Sequence, residues 1–556
     1  MESEIRPDSV KYYVEWKFSK GGWGAPSEVL ISKVCPEGGV FSGEEVVEIV
    51  DDWEVDQEFT YSDSLEVGRR EDIRKMALVK DEVQGIDRVL NPVDDIPGLT
   101  LTGFLPGISL GGNMKHKRVP EDRVLTDYQQ ECVGQFRWPH GSRDEVLDSL
   151  RAHRKAYDDN VHLVSLDEIA FKKAHLWTVE HLGIVEVNAH FTREDILERI
   201  AQVPSQSGPG PRFKKYGKTN IEVIEMLGAG IIVDSVIKIL EDLTSGRIDI
   251  FNGIFVKMEP HTWKKVMAKK WRLIHNFDLD VQVVFRLLFD PFTKNDILNC
   301  QAGITNMGHA LDVTGSSGWV LKRLVESNEA ESDDISGYDN SYGSLHIESE
   351  QQLYLDRAWN EDQEEEMIWR TMARNLFQSI EFQSYMVIPG GDVYFISSFW
   401  KWPSGIYITS NGNTSERIKV WAYTWFRALM IPPKGGQKAC GDDSLELQAP
   451  RSEVYMNELG FVMKKGKKNE FIGYEWKVES VDGTLKCLPK KVVSAPRTIF
   501  RLCQKSSTDL LVDLQNIIVL WCWDDALIPE LLAMAEWTTL SREKVLRMLE
   551  VARQRH

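Results

Sequence analysis

The chain has 556 residues, a formal net charge of −19, 42% hydrophobic residues and 10% aromatic residues. That fits a folded protein with a large core shared among several subdomains. The seven cysteines are scattered and form no Cys-x-x-Cys pair, which argues for a reducing compartment and against a zinc site or a disulfide framework. No apolar run reaches the roughly 18 residues needed to span a bilayer. The start, Met1-Glu2-Ser3-Glu4-Ile5-Arg6, is charged and lacks a signal-peptide core. The expectation is a soluble protein that reaches membranes only through a partner.

In chain order, residues 1 to about 110 differ from the rest. Tyr12, Val14, Trp16 and Phe18 alternate as a half-buried strand does. An acidic stretch, Glu44–Asp63, precedes a Gly/Pro-rich linker from Pro97 to Gly112. No chemistry is assigned here, and an extension packing on the remainder or on a partner is expected. From Phe136 onward helices dominate. Ser142 opens one, with Val146, Leu147 and Leu150 at helical spacing. Thr192-Arg193-Glu194-Asp195 has capping-box form, and Ile231 to Leu243 is a further apolar helix closed near Gly246.

A basic stretch follows: Lys257-Met258-Glu259-Pro260-His261, then Lys264, Lys265, Lys269, Lys270 and Trp271-Arg272. A solvated helix face would look similar. A polyphosphate path, however, also needs fixed cations, with arginine favoured for a two-pronged grip. Such segregation of charge, with acid at Glu44–Asp63 and Glu361–Glu366 and base at Lys257–Arg272 and Lys464–Lys468, predicts a basic channel inside an acidic shell.

Three stretches downstream carry the chemistry. They are Asp333-Asp334-Ile335-Ser336-Gly337-Tyr338-Asp339, Ser404-Gly405-Ile406-Tyr407-Ile408-Thr409-Ser410-Asn411-Gly412-Asn413, and Cys440-Gly441-Asp442-Asp443. Adjacent carboxylates repel and raise each other's pKa, and a hard divalent cation removes that cost. A lone Gly-Asp-Asp arises by chance in roughly one chain in ten of this size, so the joint order and spacing matter more than any single motif. After them, Phe461 to Lys468 offers Lys464 and Lys465 as candidate general acids. A helix through Ile418, Trp421, Trp425 and Leu429 stops at Pro432-Pro433. The segments Leu510–Trp523 and Ser541–Arg553 read as closing helices.

In these motifs the chain resembles the viral RNA-directed RNA polymerases of the sobemovirus, barnavirus and polerovirus lineage, over roughly residues 130 to 530. The similarity includes the Lys-x-Glu-Pro-His and Trp-Arg-Leu-Ile segments, with Lys270 in place of an arginine. The resemblance implies an α+β, right-hand polymerase fold with fingers, palm and thumb, in which an antiparallel palm sheet is flanked by helices. It implies an extension at 1–112, fingers at 113–330, a palm at 331–486 with an insertion near 345–395, and a thumb at 487–556. Asp334, Asp442 and Asp443 would hold two Mg²⁺ or Mn²⁺ ions. Asp339, Ser404, Gly405, Thr409 and Asn413 would bind the nucleotide and test its ribose. Lys257, Lys269, Lys270 and Arg272 would line its triphosphate path. Lys464 or Lys465 would protonate pyrophosphate. Partners would be RNA template and nascent RNA, NTPs, a genome-linked protein and other replication proteins, in membrane-associated complexes of the host cytoplasm. The segment Gln301–Gly308 lies where relatives keep a template-guiding loop, and Phe471–Trp476 where they keep a primer grip; both match only in outline. A reverse transcriptase is the neighbouring alternative, and a catalytically inactive RNA-binding scaffold on the same fold is the other. Asn413 speaks against the first, which lacks the Asn-based ribose test, and the second predicts a lost carboxylate where none is lost.

Overall fold

A computed structural model describes residues 11–17, 28–34, 96–106, 110, 118–300, 303–305, 319–481 and 483–555. The chain divides into two compact units, Met1–Val67 and Gly68–His556. In the first, the alternating segment forms a strand, Lys11–Lys17, paired antiparallel with Glu28–Val34. Phe18 and the acidic stretch lie outside the described residues, as do positions 107–109 and 111–112 of the Gly/Pro-rich segment and the side chains of Asp333 and Lys465. The rest of that segment is not a linker: Leu99–Phe104 is a strand paired with Asp392–Ile396.

The second unit is of α+β class. A five-stranded mixed sheet runs Leu99–Phe104, Asp392–Ile396, Ser384–Val387, Ile250–Val256, Leu273–Phe277. A four-stranded antiparallel sheet runs Gln437–Cys440, Asp443–Glu446, Glu331–Ile335, Met463–Lys468. A three-stranded sheet, Glu470–Phe471, Tyr474–Val481 and Thr484–Val492, leads into the C-terminal helices.

Local chemistry sets the helix starts. Ser142 and Thr192 both close capping boxes, with Glu145 and Asp195 answering from the third position. Gly246 ends the helix Ala229–Ser245. The acidic run at 361–366 opens a helix and is largely exposed. Asp362 caps Gln363–Phe382, Glu365 accepts from the Ala189 N–H at 2.9 Å, and Glu366 accepts from the Asn360 N–H at 3.0 Å. Negative charge there also meets the positive end of the helix dipole.

The helix Thr409–Arg427 is the axis of the largest core, and every side chain from Asn411 to Trp425 is buried. Trp421 packs beside Trp177 with ring centroids 5.6 Å apart and donates its indole N–H to Leu447 O at 2.8 Å. Arg417, fully buried, pairs with Glu446 at 2.9 Å and donates to Ser444 Oγ at 2.7 Å. Apolar burial and a buried ion pair thus join this helix to the hairpin 437–446, which carries Gly441-Asp442-Asp443. Among the described residues no helix is long and apolar enough to cross a membrane. Cys132, Cys300, Cys440, Cys487, Cys503 and Cys522 are free thiols.

Candidate active site

The hairpin turn comes first. Cys440 pairs with Asp443, leaving Gly441 and Asp442 as a two-residue turn. Gly441 sits at φ +64°, a conformation that glycine adopts without strain. Its N–H donates to Thr414 Oγ1 at 2.7 Å, so the helix 409–427 holds the turn directly. Thr414 was not singled out by the sequence. Its one signal is that it follows Asn413 on the same helix.

Both turn carboxylates are exposed to solvent. Crowding by the surrounding protein, then the charges of Asp339 and Asp334, push Asp442 above the usual carboxylate range. Burial, then Asp442, Asp334 and Glu470, push Asp443 up to about 7, against the pull of Arg272. Five acids from three separate stretches, Asp334 and Asp339, Asp442 and Asp443, and Glu470, therefore act on one another here. Asp334 is met by Lys464, directly across the strand pair, with its Nζ 2.6 Å from Oδ2.

Asp339 follows on a short 3-10 turn after the strand 331–335. Its Oδ2 accepts from Ser404 Oγ and its Oδ1 from Asn413 Nδ2 at 2.7 Å. Its backbone carbonyl accepts from the Trp402 N–H at 2.7 Å. Because the Asn413 amide nitrogen is committed to Asp339, its Oδ1 is left buried and without a partner. A buried acceptor in that condition is costly unless a ligand answers it. Thr409 locks the loop beneath, accepting from the Gly405 N–H at 3.1 Å and donating to Pro403 O at 3.2 Å. Ser404 O accepts from the His275 N–H at 2.9 Å, which seats the loop on the five-stranded sheet.

Cations line the other side. Glu259 gathers Lys257 at 3.0 Å, Arg272 at 3.1 Å and Arg497 at 4.0 Å. Burial opposes its charge, but Arg272, Lys257 and Arg497 outweigh that and hold its carboxyl below the usual range. Burial, then Arg272, Arg497 and Lys464, lower the ammonium of Lys265, which shows how closely these cations crowd. Arg497, on the helix Ala495–Leu502, lies some two hundred residues beyond the basic stretch, and no motif marked it. Lys269 turns instead to Asp148 at 2.8 Å, away from the carboxylates. Lys270 has only a backbone bond, to Lys265 O at 3.0 Å.

His261 fixes Arg272. Its Nδ1–H donates to Glu259 O at 2.8 Å, and its Nε2 accepts from the Arg272 N–H at 3.1 Å. That geometry requires the neutral ring, and burial pushes the pKa down to about 4. An exposed histidine titrates near 6.5. Between those values the unfolded chain binds a proton that the folded chain refuses, so stability is full above pH 6.5 and is withdrawn as pH falls toward 4. His153 and His346, both pushed down to about 3 by burial, act in the same direction. The expected result is a melting temperature that declines from pH 6.5 to 4.5, with a shallower decline in His261→Gln; equal slopes would remove His261 from this role.

Among the described residues no three His, Cys, Asp or Glu side chains close on a single point as a metal cage. The donor set nevertheless fits a hard divalent cation. Asp334, Asp442 and Asp443 offer only oxygen, their mutual repulsion is what a cation relieves, and Lys464 supplies positive charge at Asp334.

Clustered carboxylates and crowded cations thus meet here, beside the bonded pair Asp339 and Asn413. No family model matches the chain. Among curated proteins it is 26% identical to the RNA-directed RNA polymerase of Mushroom bacilliform virus over 299 residues, which are 49% of this chain and 69% of that protein. It is also 26% identical to Protein P1-P2 of Potato leafroll virus, covering 40% of this chain and 21% of that protein. A third relative is the Replicase polyprotein P2AB of Cocksfoot mottle virus, again 26% identical, covering 26% of this chain and 18% of that protein. The chain therefore spans about a fifth of the length of the last two. One of these relatives is named as a viral RNA-directed RNA polymerase and another as a replicase polyprotein. The chain is similar to this sobemo-like lineage of viral polymerases.

Proposed function

We propose that the chain copies RNA from an RNA template in replication of a positive-strand viral genome, on a right-hand fold. The four-stranded sheet would be the palm, the elements before it the fingers, and residues 487–556 the thumb. One observation carries the reading. Asp339, Ser404 and Asn413 meet side chain to side chain beside Asp334, Asp442 and Asp443, although the three stretches lie up to about a hundred residues apart. The relatives' names agree with it.

Asp334, Asp442 and Asp443 would hold two Mg²⁺ or Mn²⁺ ions. When bound, these supply the charge that activates the 3′-hydroxyl and neutralises the leaving pyrophosphate. The protein's own groups do the rest. Arg272, Lys257 and Lys265 neutralise the arriving triphosphate, which competes with Glu259 for them. Lys464 lies opposite Asp334 and is placed to release that carboxylate as the site loads and then to donate a proton to the leaving group. Asn413 Oδ1, oriented by Asp339, accepts the 2′-OH proton of a ribonucleotide, which a deoxynucleotide lacks.

The test is extension of an RNA primer on an RNA template under a metal titration. NTP-dependent, template-directed extension that requires Mg²⁺ or Mn²⁺ is expected; extension with dNTPs alone, or none at any metal concentration, contradicts the proposal. Asn413→Ala is expected to cut the preference for NTP over dNTP by about 10²-fold, since a site built to bond a hydroxyl rejects an analogue lacking it. An unchanged preference would remove Asn413 from ribose recognition.

A further inference from the structure

Lys401 stands out among the buried charges. It lies on the segment that enters the Ser404-Gly405 loop, is only 6% exposed, and donates through Nζ to Asn340 Oδ1 at 2.7 Å. Asn340 directly follows Asp339, and the Trp402 N–H, the next residue after Lys401, donates to Asp339 O. Lys401 and Asp339 are thus stitched together through both neighbours.

A buried ammonium whose hydrogen bond goes to a neutral amide needs a countercharge from somewhere. His153 and His275 respond to Lys401, but burial and its charge keep both rings neutral. Arg272 acts on it with the same sign. The anion that acts on it is Asp339. Burial lowers the ammonium to about 8, so at neutral pH it still carries its charge.

Asp339 in turn has work that only the anion can do. Its two oxygens accept from Ser404 Oγ and Asn413 Nδ2 at once, and the second bond decides which way the Asn413 amide faces. Asp339 and Asp442 repel one another, and a fixed positive charge beneath Asp339 offsets that repulsion.

We propose that Lys401 is a positioning residue for ribose recognition: its ammonium, anchored on Asn340, offsets the repulsion between Asp339 and Asp442, keeps the Asp339 carboxylate in place and so holds Asn413 with its carbonyl oxygen toward the nucleotide sugar. This rests on the polymerase reading above. Nothing in the three motif stretches marks Lys401, which falls three residues before Ser404.

The experiment compares wild type, Lys401→Met, Lys401→Arg and Asn340→Ala in two assays. One is single-nucleotide incorporation of UTP against dUTP; the other is the rise in melting temperature given by UTP against dUTP with Mg²⁺, which needs no turnover. In Lys401→Met the UTP preference is expected to fall about tenfold or more, through KM for UTP rather than kcat, and the thermal-shift difference to vanish. Lys401→Arg restores part of both. A purely structural lysine predicts the opposite pattern, because exchanging a buried charge for an apolar chain leaves stability equal or higher while selectivity is untouched. Unchanged selectivity in folded Lys401→Met overturns the proposal. If that variant does not fold, Asn340→Ala decides by the same criterion. Wild type without incorporation would refute the polymerase reading, and the thermal-shift comparison would still decide for or against Lys401.

Discussion

Asp442→Asn is expected to abolish nucleotide incorporation, by about 10³-fold or more, while RNA binding stays within about twofold of wild type. The substitution keeps shape and removes one negative charge from a turn where Asp339, Asp334 and Asp443 already repel it. The turn itself is held by the Gly441 N–H to Thr414 Oγ1 bond and the strand pairing of Cys440 with Asp443, neither of which uses the Asp442 side chain. The variant should therefore melt at the same temperature as wild type or slightly higher. Lost activity with equal or raised stability is the signature of a charge kept for function. Extension and fluorescence-anisotropy assays on one preparation measure both. Retained activity would dismiss Asp442 as a cation ligand.

Gly405→Ala is expected to be nearly as damaging for a steric reason. Gly405 sits at φ +131°, outside the range side chains accept, and an added Cβ would be driven into the His275 carbonyl, 3.1 Å from its carbon. The opposing atoms are backbone of the strand Leu273–Phe277, held by its pairing with Ile250–Val256, and yield little. The loop must lift, losing the His275 N–H to Ser404 O bond and, with it, the Ser404 contact on Asp339. A drop of about 10² in incorporation is expected with the far-UV circular dichroism unchanged, since displacement of a positioning loop by an ångström is enough. Near wild-type rates would mean that the loop has another resting place.

Much of this site was legible because its acids and amides sit in short fixed spacings. Asp334, Asp339, Ser404, Asn413 and the Asp442–Asp443 pair could each be named from the chain alone. The helix bearing Asn413 was harder. Its apolar rhythm is visible from Ile418, yet it begins at Thr409, because its first two turns bury polar groups. Asn411 donates to Thr293, Ser415 to Glu350, and Thr414 accepts from Gly441. Satisfied buried polar contacts leave no hydrophobic period. Buried charges are hidden in the same way. Arg417 pairs with Glu446 and Lys419 with Glu416, all fully buried, and no sequence pattern marks them. Lys438 clasps the Cys300 and Gly303 carbonyls beside the hairpin. Of the stretch Gln301–Gly308, the described part, Gly303 to Thr305, lies against Ala439, which no local pattern foretold. Arg497 shows the limit most plainly, since its place among Lys265, Glu259 and Arg272 depends on tertiary folding alone.

The most direct measurement is anomalous diffraction from crystals soaked in Mn²⁺ with and without a nucleotide. The account predicts a manganese peak touching carboxylate oxygens of both Asp334 and Asp442, at about 2.0–2.3 Å, with the Lys464 ammonium displaced from Asp334. Manganese bound to neither residue, or to each separately with no shared ion when the nucleotide is present, would contradict it.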